Sequence, residues 1–307
     1  MLKDNFSIKQ TKETMKDRNP FVTLILLFLA MMVPMIIIGM IGGFFIMGKY
    51  PSMANNPQAI AEYFKNLDSE YQILGNLYMT LIVSLSAYIF ARNFQKRDKA
   101  SLGLSNPNKG KNYIKGLVLG LGMICLVVLI LKIMGLIEIN ANIKNVSPIF
   151  FILIIIGWIF QGFEEEFVTR SILMNYFASK YNVLAGILIN SLIFSLLHLG
   201  NNAFSPLAAI NIFLVGILFS LLFYISDDIF LSAAAHSFWN FAQGNIFGIS
   251  VSGTPRSSNT IFKSNLLAND LWTGGQFGIE AGLACTIVLL LVNIYLVKKT
   301  RDMNVEE

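Results

Sequence analysis

Residues 158–176 read WIFQGFEEEFVTRSILMNY, a hydrophobic run broken by Glu164, Glu165, Glu166 and Arg170. An ionisable group at hydrocarbon depth costs roughly 2.5–3.5 kcal/mol on insertion scales, so charge placed there needs a functional reason. The chain around this run is built for a bilayer. Of its 307 residues, 55% are hydrophobic and 13% charged, and the mean hydropathy is +0.62. That balance is too apolar for an ordinary soluble domain. Stretches poor in charge cover 21–48, 71–91, 116–131, 148–163, 181–197 and beyond, 203–225, 229–246 and 281–297. Each approaches the roughly 20 apolar residues of a spanning helix, and snorkelling flanks complete the shorter ones. The fold class that follows is all-α: a polytopic, multi-pass protein of the cell membrane with about eight transmembrane helices.

Charge placement sets the orientation. Lys3, Lys9, Lys12, Lys16 and Arg18 precede the first span, which far exceeds a signal-peptide core of about 7–15 residues and reads as a retained helix. Five basic residues in that tail and seven from Arg92 to Lys115 fall on one side, joined by Arg170, Lys180, Lys298, Lys299 and Arg301. Cytoplasmic loops collect lysine and arginine, so both termini are predicted to be cytoplasmic, with an even number of spans. The formal net charge of +5 is then explained by topology and by anionic headgroups of the lipid bilayer. No basic and aromatic residues interleave as a nucleic-acid surface requires. Cys125 and Cys285 fall inside spans and read as small buried hydrophobes, not as ligands or a disulfide.

Three regions organise the chain: 1–147 with the tail and three spans, 148–247 as a core of four spans, and 248–307 with an outer loop, the last span and a tail. The longest polar connections are 92–115 and 249–276. The second, with Gly253, Pro255, Ser257 and Ser258, reads as a mobile surface loop.

Three polar constellations lie in the core. In Glu165-Glu166-x-x-x-Arg170, Glu166 and Arg170 stand one helical turn apart and can pair, while Glu165 projects about 100° away and stays available as a base. The plainer alternative is an ion pair that locks helices together. Glu164 has no assigned partner and reads as facing headgroups. His198, in Phe194-x-x-x-His198, could simply bond a backbone carbonyl. Counted from a turn near 179–182, however, Glu165 lies about 14 residues back and His198 about 16 on, roughly 21 and 24 Å along antiparallel helices. They should meet at similar height. His236 and Asn240 share a helix face and can together bind an oxyanion, a metal or a water, or merely bond between helices.

Other chemistries lack their signatures. There is no His-Glu-x-x-His helix, no Gly-x-Ser-x-Gly elbow and no phosphate loop. Asp227 and Asp228 are adjacent in a tight inner turn, where they solvate a loop and start the next helix instead of converging as a dyad. A transporter would spread ionisable groups along a path. Here they cluster between Glu164 and Asn240.

Taken in order, the three motifs resemble those of the CPBP family, the CAAX prenyl proteases and bacteriocin-processing enzymes also called Abi. Leu102-Gly103-Leu104 and the segment from Gly274 to Glu280 also resemble bacterial members; the bland reading of the second is glycine for close helix contact, with Glu280 snorkelling to the outer interface. The resemblance implies an intramembrane endopeptidase acting on a membrane-associated peptide or protein, near the cytoplasmic side or within the bilayer. It implies that Glu165 and His198 activate water, that His236 and Asn240 steady the oxyanion, and that Glu166 and Arg170 orient the site. Family members are described both as metalloproteases and as glutamate-dependent enzymes. Glu165, His198 and His236 make an acceptable ligand set for a divalent ion such as zinc. A metal-free arrangement leaves the Glu-His couple as base. The competing function is a non-catalytic membrane regulator or bacteriocin-immunity protein on the same fold.

Overall fold

Short polar side chains and prolines set where the helices begin. The computed structural model describes residues 2–16, 19–53, 56–67, 69–267 and 270–306; Arg18 of the basic tail lies outside them. Helix α1 (Phe6–Thr14) is capped by Asn5, α2 (Pro20–Lys49) by Asn19 and α3 (Pro57–Lys65) by Asn56. In each, the side-chain oxygen accepts a first-turn N–H, a bond worth about 1 kcal/mol. Helix α4 (Ser69–Ile89) continues as a π-helix, Phe90–Phe94, and α5 (Lys109–Ile133) leads into strand β1 (Ile137–Ala141). Next, α6 (Pro148–Glu166), a π-helix over Phe167–Met174 and α7 (Asn175–Lys180) form one continuous rod of 33 residues. Asn182 caps α8 (Val183–Leu197), Ser205 caps α9 (Pro206–Ser226) and Asp228 caps α10 (Ile229–Phe241), which runs on as a π-helix, Ala242–Ile246. Strand β2 (Phe262–Leu266), the single turn α11 (Asp270–Thr273) and α12 (Leu283–Glu306) follow.

Among the described residues, six helices are long and apolar enough to cross a membrane: 20–49, 70–94, 109–133, 148–180, 206–226 and 283–303. A backbone in hydrocarbon must satisfy its own hydrogen bonds, which is why these segments are helical throughout. Two of the eight stretches anticipated from hydropathy fall outside that set: α8 has 15 residues and α10 has 13 before its π-helical extension. Nearly all of α10 is buried in protein, so lipid does not dictate its length.

Helix α10 is the axis of the bundle, packed against α5, α6 and α9. Glycine lets its neighbours come close. A Cβ at Gly116 of α5 would sit 2.2 Å from the Leu231 carbonyl oxygen, and one at Gly120 would sit 2.1 Å from that of Ala235. Such small-residue contacts are how helices associate where lipid removes any hydrophobic drive. Helix α2 is the opposite case: only 11% of its apolar window is buried, and Phe21, Phe28 and Phe44 face outward, so its surface is made for lipid.

Several sequence expectations change. Strand β2 falls inside the connection read as a loop, pairing antiparallel with β1 from Ile137 opposite Leu266 to Ala141 opposite Phe262. The pairing joins strands far apart in sequence, each only five residues long, so no local pattern announced it. Cys285 is buried as expected, but Cys125 lies on an exposed face of α5. Glu164 is buried rather than facing headgroups. Asp228 does start α10, yet it is buried and bonded by Asn112 Nδ2 at 2.8 Å instead of solvating a loop.

The end of the bundle that holds both termini is closed by polar cross-links. Arg97 is fully buried and donates to the Ser171 carbonyl at 2.7 Å, the Ile172 carbonyl at 3.2 Å and Thr11 Oγ1 at 2.9 Å. Asn175 bonds Ser7 Oγ and the Ser101 carbonyl, both at 3.0 Å, and Asp227 accepts the Ser7 N–H. Leu102 is buried here, its carbonyl accepting from Ser171 Oγ, and Gly103 takes a positive φ against Phe223.

Candidate active site

The acidic motif straddles the junction of α6 and its π-helix. Glu166 and Arg170 are both fully buried and paired, Nη1 to Oε1, at 2.8 Å. The expected one-turn pair therefore forms. Arg170 Nη1 also donates to Thr169 Oγ1 at 2.6 Å and Nη2 to the Gly216 carbonyl at 3.1 Å, while its guanidinium carbon lies 4.6 Å from the Phe194 ring centre. A planar cation flanked by aromatic rings holds its position better than a flexible ammonium would. Glu165 points elsewhere: Oε1 accepts from Gln161 Nε2 at 2.5 Å, and Oε2 is buried without a hydrogen-bond partner among the described residues.

His236 lies between the two carboxylates. Its Nδ1 is 3.0 Å from Glu166 Oε1, and its Nε2 is 3.7 Å from Glu165 Oε2. The second separation is too long for a direct hydrogen bond and suits two groups that share one small polar partner. The ring stacks on Phe219, centres 4.9 Å apart. One turn on, Asn240 Nδ2 donates to Gln161 Oε1 at 2.9 Å, so Gln161 ties Asn240 to Glu165. His198 ends α8, and its Nδ1 is 2.8 Å from the Phe194 carbonyl. The backbone bond considered for a lone histidine is thus made, and it leaves Nε2 as the ring's free acceptor.

Glu165, His198, His236 and Asn240 line one cavity of about 210 Å³, with Gln72, Asn76 and Thr80 of α4 on the opposite wall. Residues 249–257 roof it. Two buried carboxylates hold that roof. Glu70 accepts from Ser257 Oγ at 2.9 Å and from the Ser258 N–H, and Glu280 accepts from the Ser252 N–H and, at 2.6 Å, Ser252 Oγ. Glu280 is therefore no snorkelling residue. Burial pushes its carboxyl above the ordinary range, opposed by the Ser252 bonds and by His198 nearby. The glycines before it serve a turn, not helix contact: Gly274, Gly275 and Gly278 all have positive φ, and a Cβ at Gly278 would lie 2.1 Å from the Ser250 carbonyl oxygen.

Sequence reasoning missed Gln161 and Glu70, and offered for Glu280 a snorkelling role that its burial overturns. Gln161 sits one turn before Glu165, the same spacing that identified Glu166 with Arg170, and was legible on that ground. Glu70 and Glu280 act on a loop distant in sequence and gave no such signal. Among the described residues, no group of three His, Cys, Asp or Glu side chains is placed to hold a metal ion. Glu165, His198 and His236 share the cavity without forming a ligand cage.

Residues 147–242 match the family model described as Type II CAAX prenyl endopeptidase Rce1-like. The match begins at the head of α6 and ends just past Asn240, so it contains all three motifs, and it agrees with their resemblance to the CPBP family. Comparison with curated proteins and with solved structures finds no match. The chain is thus largely helical, with six helices among the described residues long and apolar enough to cross a membrane, and its region 147–242 is similar to a family of CAAX-type prenyl endopeptidases.

Proposed function

We propose that this protein hydrolyses a peptide bond within a membrane-associated peptide or protein, with eight spans and both termini in the cytoplasm. The observation that carries the reading is the convergence of Glu165, His198, His236 and Asn240, from three helices, on one cavity. Glu165 Oε2 and His198 Nε2 are the unengaged acceptors there. Together they take a proton from water as its oxygen attacks the substrate carbonyl. The electron pair of that carbonyl moves to oxygen, where the second amide hydrogen of Asn240 holds it, while His236, whose Nδ1–H donates to Glu166, faces the attacking water with Nε2 as acceptor. When the intermediate collapses, the C–N bond breaks and the leaving amine recovers the proton from Glu165. Glu166 fixes His236 through Nδ1, and Arg170 balances the Glu166 charge. Topology is supported by the basic residues gathered at the terminal end and by α8 and α10 as the two shorter spans.

Membrane proteomics of wild-type against Glu165→Ala cells should show precursors accumulating in the variant. The purified protein should then cleave those precursors and lose the activity after Glu165→Ala or His198→Ala. Unchanged turnover in both variants overturns the reading. Full cellular function of Glu165→Ala at normal abundance favours a non-catalytic regulator or immunity protein instead.

A further inference from the structure

The cavity lies away from the closed end. Its walls are the first turns of α4, from Gln72 to Thr80, the turn after α8 at Asn201 and the loop from Ile249 to Ser257. All of these lie at the end opposite α1, Arg97 and Asp227, where the pocket beside α1, of about 130 Å³, shares no lining residue with the site cavity. Lysine and arginine concentrate at that closed end. By the charge rule that end is cytoplasmic, so the open end faces the other way. The lining carries one more clue. It contains no lysine, arginine or aspartate; Glu165 is the sole acid, and the rest of its polar groups are histidine, amides and hydroxyls such as Gln72, Asn76 and Asn245. Amide side chains are suited to the N–H and C=O groups of an extended peptide backbone. A cavity with no cation has nothing to pair with a carboxylate.

We propose that the site is loaded from the non-cytoplasmic face, and that it takes an uncharged or cationic polypeptide segment displayed there after translocation or insertion, excluding acidic segments and free C-termini. The proposal rests on the endopeptidase reading for its substrate, while its geometry is testable without any substrate. In a background carrying Cys125→Ser and Cys285→Ser, single cysteines are placed by Thr254→Cys and Asn201→Cys at the cavity and by Ser105→Cys at the closed end. Thr254 and Ser105 are both exposed. In intact cells, a membrane-impermeant maleimide should label Thr254→Cys or Asn201→Cys, and Ser105→Cys only after permeabilisation. The reverse pattern overturns the proposal and leaves the protease reading intact. Labelling from outside combined with unchanged turnover in Glu165→Ala sinks the enzyme and spares the entrance. For the second part, Asn201→Cys should react about tenfold faster with a trimethylammonium methanethiosulfonate than with its sulfonate counterpart, corrected for their rates with a free thiol. Equal rates, or a faster sulfonate, refute the exclusion of acidic segments.

Discussion

The two ends of the bundle use the same device for opposite purposes. At the terminal end, buried Arg97 and Asp228 and half-buried Asp227 tie α1, the π-helix over Phe167–Met174, α9 and α10 together, and the pocket left beside α1 is bounded by none of the four site residues. At the far end, buried Glu70 and Glu280 hold a loop up by its N–H groups and hydroxyls, so that the space beneath stays open. A buried charge is costly unless fully bonded. The protein meets that cost at both ends. What differs is the geometry of the partners: helix termini and carbonyls at one end, an arched loop at the other.

Substitutions at the two ends should therefore separate chemistry from folding. The largest effect belongs to Glu165→Gln, which keeps the shape of the side chain and removes the base. Turnover should fall by about 10²–10⁴-fold, with thermal unfolding in detergent nearly unchanged. Parallel losses in turnover and stability would blur the contrast between the ends. Arg97→Met comes next. It strips donors from the Ser171 and Ile172 carbonyls and from Thr11, and should cost about 3 kcal/mol of stability, read from the same melting curves. Per folded molecule, activity should survive.

The smallest effect is a pH slope. Because burial raises the Glu280 carboxyl, the stability it contributes is fully present below its ordinary 4.5 and lost as pH rises through the elevated folded value. Glu280→Gln should flatten the melting temperature across that window and, at neutral pH, stay within about 1 kcal/mol of wild type, since the amide oxygen still accepts from Ser252. A steeper slope in the variant would mean that the roof depends on ionised Glu280.

Much of this was legible in the sequence, for a physical reason. Helices in lipid are announced by their own composition, and Glu166 with Arg170 or His236 with Asn240 are announced by spacing along one helix. The shared depth of Glu165 and His198 followed from counting residues out from one turn, and both line the cavity. Contacts across the fold were not legible. His236 beside Glu166 joins residues 70 apart, Glu70 reaches a loop nearly 190 residues on, and β1 finds β2 across four helical rods. Nothing local distinguishes Glu280, at the head of a membrane helix, from an interfacial carboxylate. Its role became visible only once three glycines had turned the chain inward.

The wide turns at Phe90–Phe94, Phe167–Met174 and Ala242–Ile246 bear on how such a protein can change length. Their hydrogen bonds close over five residues instead of four, so each stores slack. Losing one residue within such a turn can be absorbed by tightening to regular α geometry, with both flanks still held by their neighbours. A loss from the regular part of α6 would instead turn everything beyond it by about 100°. Insertions and deletions among relatives should therefore gather at these three places, and a homologue one residue shorter between Glu166 and Asn175 could keep its inner half seated while aiming its arginine differently.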